Sequence, residues 1–167
     1  MKMVYVKVEA KTVKENRKFY HDHVKHAFVK WCAYQGLFDG VFTKAEIKHA
    51  KKRGSLPQDC NIHHIMPLSG NPYSNVNDFT NLVVLHKKTH ERINKEVFQP
   101  QLKGIDKEPY GTTRVLEIPV YSYVDREGII AERKKVLDSS NRRFTTAQKV
   151  LDKSKKSCII SLTDWQR

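Results

Sequence analysis

Cysteine, acidic side chains and long apolar runs are all scarce in this chain of 167 residues. The three cysteines, Cys32, Cys60 and Cys158, are scattered and form no CxxC pair. An odd, dispersed set argues against a disulfide framework and against a cysteine zinc knuckle. Cys60 is expected to be a small buried residue rather than a ligand. No apolar run reaches the length of a membrane helix, and the N-terminus lacks the apolar centre of a signal peptide. The expectation is a chain with no membrane partner, cytoplasmic as made; export by a machine that reads no cleaved signal stays open. Internal repeats and low-complexity tracts are missing too. The length suits one domain, with room for an added lobe, and is enough to bury a core without staples.

The shortage of acid is a surplus of base. Asp and Glu number 18 against 31 Lys and Arg, a formal charge of +13. Such a balance points first to a polyanion as partner. Residues 1–60 hold 13 basic against 6 acidic side chains, residues 61–100 hold 4 against 3, and residues 101–167 hold 14 against 9. The excess therefore flanks a nearly neutral centre. A basic surface that binds nothing is the plainer alternative.

Periodicity gives an α+β chain in three parts: a helical, basic N-terminal part over 1–59, a central motif over 60–100, and a basic α/β extension over 101–167. Residues 3–8 alternate weakly as a strand. Residues 12–34 read as a helix with an apolar stripe of Val13, Tyr20, Val24, Phe28 and Trp31, interrupted once by Arg17. His21, His23 and His26 lie on it at spacings that do not suit a shared metal. Gly36 and Gly40 mark a turn, and Thr43 with Glu46 forms a capping-box pattern opening a helix that Gly54 stops. Two short strands, over 62–66 and 81–85, enclose an ordered polar loop, and a helix over 89–98 ends before Pro100. Beyond it lie a long strand over 114–124 containing Pro119, a turn over 125–128, short helices over 130–137 and 145–151, and a last strand over 158–162.

The central part holds the chemistry. It opens Asn61-Ile62-His63-His64-Ile65-Met66-Pro67-Leu68-Ser69-Gly70 and continues, after a loop, Asn81-Leu82-Val83-Val84-Leu85-His86-Lys87-Lys88-Thr89-His90-Glu91-Arg92-Ile93-Asn94. On a strand, His63 and His64 point to opposite faces. On a helix, His90 and Asn94 project to one side, one turn apart. A helix laid across the strand pair brings His63, His90 and Asn94 to one point, as ligands for one divalent metal. His64 then stands beside it as general base, with an ordinary pKa of about 6.5. Asn81, able to donate and accept, is expected to clamp the loop that follows the histidine pair. His86 offers a rival ligand at i,i+4 from His90. Lys48, Lys51, Lys52 and Arg53 on the earlier helix, and Lys87, Lys88 and Arg92, are candidate phosphate contacts.

These residues resemble the HNH, or ββα-metal, nucleases, and within them the DNase domains of colicins and pyocins. His63-His64, Asn81 and His90 match that pattern in order and type, and Pro67-Leu68-Ser69-Gly70 is similar to the family's loop opening. The resemblance covers roughly residues 60–97. It implies a ββα-metal nuclease core, with His63 and His90 as metal ligands, His64 as general base, and metal-dependent hydrolysis of DNA with low sequence specificity. Asn94 departs from the colicin-type site, which has a third histidine there. An amide oxygen moves the preference from zinc or nickel toward magnesium or manganese. The implied context is an antibacterial toxin, secreted as part of a larger protein, acting in a target cytoplasm and blocked by an acidic immunity protein. A phage or restriction-type endonuclease, a nuclease acting on RNA, and a non-catalytic DNA-binding module are the alternatives.

Overall fold

The computed structural model describes residues 1–70, 76–140 and 142–143. The chain divides into two compact units, Met1–Ile129 and Ile130–Arg167. The first is mixed α+β, with two small antiparallel sheets and several helices. Its strands are β1 (Lys2–Val6), β2 (Cys60–His64), β3 (Leu82–His86) and β4 (Thr113–Glu117). Its helices include α1 (Ala10–Phe19), α2 (Lys25–Tyr34), α3 (Lys44–Arg53) and α4 (Lys87–Ile93). In the second unit, residues 130–140 are helical, and Lys135 pairs with Glu132 at 2.6 Å. Among the described residues, no helix is long and apolar enough to cross a membrane. The elements expected over 145–151 and 158–162 lie outside the described residues.

The β2–β3 hairpin is the centre of the first unit, and every residue of β3 is buried. Strand alternation sends its side chains into two clusters. Leu82 and Val84 face Tyr20, Val24, Phe28, Val29 and Cys32 of the N-terminal helices. Val83 and Leu85 face Tyr5, Leu116 and Phe98. Cys60 is buried in the first cluster, as expected of a small apolar residue. A strand buried on both faces reads as a continuous apolar run, which is the pattern of Leu82-Val83-Val84-Leu85.

The helices obey local chemistry. The capping box at α3 is present, with Thr43 N donating to Glu46 Oε2 at 2.8 Å and Glu46 N to Thr43 Oγ1 at 3.3 Å. Gly54 ends the helix at φ 66°, against the backbone of His26. The expected helix over 12–34 is continuous but widens into a π-turn at Tyr20–Val24. The helix expected to stop before Pro100 instead runs on to Gln101 through a second π-turn, Asn94–Phe98. Pro100 cannot donate, and its ring would strike the carbonyl four residues back; the wider turn accommodates both.

The C-terminal part of this unit corrects two expectations. The strand over 114–124 shortens to β4, which pairs with β1 from Thr113 to Glu117. Pro119 removes the next donor, so the chain leaves the β1–β4 sheet and next meets the other sheet, as a parallel bridge from Val124 to Val84 of β3. Residues 125–128 are no free-standing turn: Asp125 Oδ1 accepts from Gly128 N at 3.2 Å and caps a helix that begins at 126.

Strand β1 also grips the loop after the histidine pair. Val6 N donates to Gly70 O at 3.2 Å, Val8 N to Ser69 O at 3.1 Å, and Tyr5 Oη to Ser69 Oγ at 3.2 Å. A Cβ on Gly70 would lie 1.9 Å from the buried Tyr5 ring. Gly70→Ala should therefore lower stability by about 1–3 kcal/mol, the usual range for overpacking. Urea denaturation of the two proteins checks this; equal midpoints would refute it.

Candidate metal centre

The site is built on the hairpin and on α4, which follows it directly. In the hairpin His63 lies opposite Val83 and His64 opposite Leu82. His63 turns to the α4 side, where its ring centroid is 4.9 Å from that of His90 and 5.4 Å from that of Phe98. His64 turns to the other side, where its ring meets Tyr20 edge-on at 4.7 Å. A cleft of about 410 Å³ is lined by His63, His64, His90 and Asn94, together with Arg17 from α1. The two histidines of the strand thus point apart and still border one space.

Asn81 precedes β3 in a short 3₁₀ turn, not in the strand itself. Its Oδ1 accepts from Met66 N at 2.7 Å, and its Nδ2 donates to Met66 O at 3.1 Å and Val76 O at 2.8 Å. Three bonds from one amide join Met66, just past β2, to the returning loop. Each is worth about 0.5–1.5 kcal/mol net, and more is lost when a buried partner is left unmet. Phe79 seats the same turn against Phe28 at 5.2 Å and Trp31 at 5.4 Å.

His86 occupies a different place. It is buried, with backbone angles of φ −64° and ψ 142° at the N-cap of α4, and its Nδ1 accepts from Lys88 N at 3.3 Å. Its Nε2 faces Asp59 at 3.9 Å. The helix begins after it, so His86 and His90 do not share a helical face, and His86 does not line the cleft. Lys48, Lys51, Lys52 and Arg53 are exposed on α3 and line neither this cleft nor the one beside it. Lys88 and Arg92 are exposed on α4, while Lys87 enters a second cleft described below.

Two residues of the cleft region were not singled out by sequence. Arg17 is the one charge in the apolar stripe of the first helix, and that interruption was the available signal. Asn77 is buried and holds His64 Nε2 at 3.1 Å through its Oδ1. Nothing local distinguishes it from the other asparagines of its loop.

Burial lowers the His63 pKa to about 3, helped by the neighbouring His90 and His64. Burial likewise lowers His64, partly offset by its bond to Asn77, with His21 and His90 adding smaller lowering effects. Burial also lowers His90, against a weaker upward pull from Glu91. Neutral imidazoles are the form that binds a metal, so the protein holds these rings ready as donors. Among the described residues, no group of three His, Cys, Asp or Glu is arranged to hold a metal ion. The residues bordering the cleft that could hold one are His63, His90 and Asn94, two imidazoles and an amide. That fits a catalytic rather than a structural ion.

Depressed histidine pKa values link folding to pH. The unfolded chain takes up protons below about 6.5, while the folded chain resists them. Stability of the metal-free protein is therefore fully present above that pH and is lost as pH falls toward the folded values. Each such histidine contributes at most about 1.4 kcal/mol per pH unit. Urea midpoints should fall between pH 6.5 and about 4.5, above the main carboxylate range, and His63→Gln should flatten the slope. A constant midpoint over that range would contradict the assignment.

Compared with models of protein families, with curated proteins and with solved structures, the chain gives no match.

Proposed function

We propose that the chain is a metal-dependent endonuclease of the HNH kind that hydrolyses DNA. The observation that carries this reading is the pairing of the His63 and His90 rings across β2 and α4, with His64 on the opposite strand face bordering the same cleft. His63, His90 and Asn94 would hold one divalent ion, with magnesium or manganese favoured by the amide donor. When bound, such an ion polarises the scissile phosphate and stabilises the leaving oxygen. His64 takes the proton from the attacking water. Arg17 faces the cleft, where a guanidinium can pair with phosphate oxygens. Asn81 keeps the strand end and loop in register, so that both histidines border the cleft.

The test is nicking of plasmid DNA with and without magnesium or manganese. His64→Ala should lower the rate by about 10²–10⁴-fold. Metal affinity measured by calorimetry should stay near the wild-type value. Near-normal cleavage by this variant would remove His64 from the chemistry. Absence of any metal-dependent nicking by the wild type would favour a non-catalytic DNA-binding module.

A second cleft, of about 390 Å³, supports a nucleic-acid substrate. Lys25, Lys87, His21 and His26 line it, no acidic side chain does, and it shares Ile62 and His90 with the first. A backbone crossing His90 would pass from one cleft into the other. Lys25→Ala and Lys87→Ala should each weaken binding of random duplex uniformly. Each should also reduce the slope of log affinity against log salt by about 0.9. Unchanged slopes in both variants would place the backbone elsewhere.

A further inference from the structure

We propose that Asn77 is the positioning residue of the general base, holding His64 in the tautomer that carries its proton on Nε2 and presents the Nδ1 lone pair to water. This rests on the nuclease reading and deepens it by naming the reacting atom and what orients it.

The relay of bonds starts on α1. Asn77 Nδ2 donates to Asn16 O at 3.0 Å. A backbone carbonyl only accepts, so the end of the Asn77 amide that faces it must be the NH₂ group. That decides the other end: the oxygen, Oδ1, faces His64 Nε2 at 3.1 Å. An amide oxygen has no proton to give, so the hydrogen in this bond must sit on the imidazole nitrogen. A neutral imidazole carries one N–H, and its other nitrogen then holds a lone pair. The chain of donors and acceptors, read outward from a fixed carbonyl, leaves one tautomer.

The surroundings hold this arrangement in place. Asn77 is buried, at 4% exposure, so water competes poorly for its amide. The edge of Tyr20 braces the His64 ring at 4.7 Å. Asn16 O also accepts from the backbone N–H of Tyr20, so the anchor belongs to the turn that supplies the brace. Arg17, next in sequence to Asn16, borders the cleft. One turn of α1 thus serves both the base and the substrate side.

The experiment is imidazole ¹⁵N NMR on the metal-free full-length chain, paired with plasmid cleavage in magnesium or manganese. Wild-type His64 should show a protonated Nε2 and an unprotonated Nδ1. Asn77→Ala should release the ring into a mixture of tautomers and slow cleavage by about 10–100-fold. Asn77→Asp keeps an accepting oxygen. At a pH above the imidazole range it should hold the tautomer and cleave faster than the alanine variant. The wild-type spectrum needs no variant to fold: a His64 protonated on Nδ1 overturns the proposal. An Asn77→Ala protein with wild-type tautomer and rate overturns it as well. If the alanine variant loses the tautomer while wild type shows no cleavage with either metal, the hydrogen-bond relay stands and the nuclease reading falls.

Discussion

The carboxamide of Asn81 joins two stretches of backbone, Met66 just past β2 and the returning loop at Val76. Everything at the site depends on that closure. It adds a side-chain tie to the backbone bond by which Ile65 N donates to Asn81 O at 2.9 Å, extending the register past His64. The closure is reinforced from outside. Backbone bonds from β1 reach Ser69 and Gly70, and the Tyr5 ring packs where a side chain on residue 70 would have to go. The described ends of the loop are thereby held, by polar bonds at Met66 and Val76 and by steric fit at Gly70.

The hairpin it fixes is buried on both faces, and this shapes the chemistry. A strand between two apolar clusters must send successive side chains in opposite directions. Adjacent histidines in such a strand meet different company: His63 meets His90 and Phe98, and His64 meets Tyr20 and Asn77. On the proposed nuclease reading, one ring would donate a lone pair to an ion and the other would take a proton. The strand ends at the edge of the core, so the rings open onto a cleft despite their burial.

Electrostatics divides the same way. At the centre, burial keeps His63, His64 and His90 neutral, helped at His63 and His64 by neighbouring histidines. Around it, Arg17, Lys25 and Lys87 supply positive charge beside the rings rather than among them. On the proposed nuclease reading, neutral rings with basic walls would attract a polyanion without repelling a metal ion. A cationic centre could not serve both needs.

Much of this was legible in residues alone. The Thr43–Glu46 capping box, the stop at Gly54 and the opposed faces of His63 and His64 follow from local rules: fixed dihedrals, short-range hydrogen bonds and the two-residue period of a strand. The bridging role of Asn81 could be anticipated because only a side chain that both donates and accepts can tie a loop in that way. Other features were decided by contacts distant in sequence. Pro119 marked an edge or a bulge, but the partner of β4, more than a hundred residues upstream in β1, had no local signature. His86 and His90 had helical spacing, yet the preceding strand kept His86 extended and made it a cap. Arg17 borders the cleft and Asn77 reaches His64 only because the turn at Asn16 meets the loop before β3, where Asn77 Nδ2 donates to Asn16 O. Sequence by itself determined which groups are available and on what kind of element each sits, since those depend on neighbours along the chain. Tertiary structure alone decided which of them meet, because burial of the hairpin between two clusters sets distances that no spacing encodes.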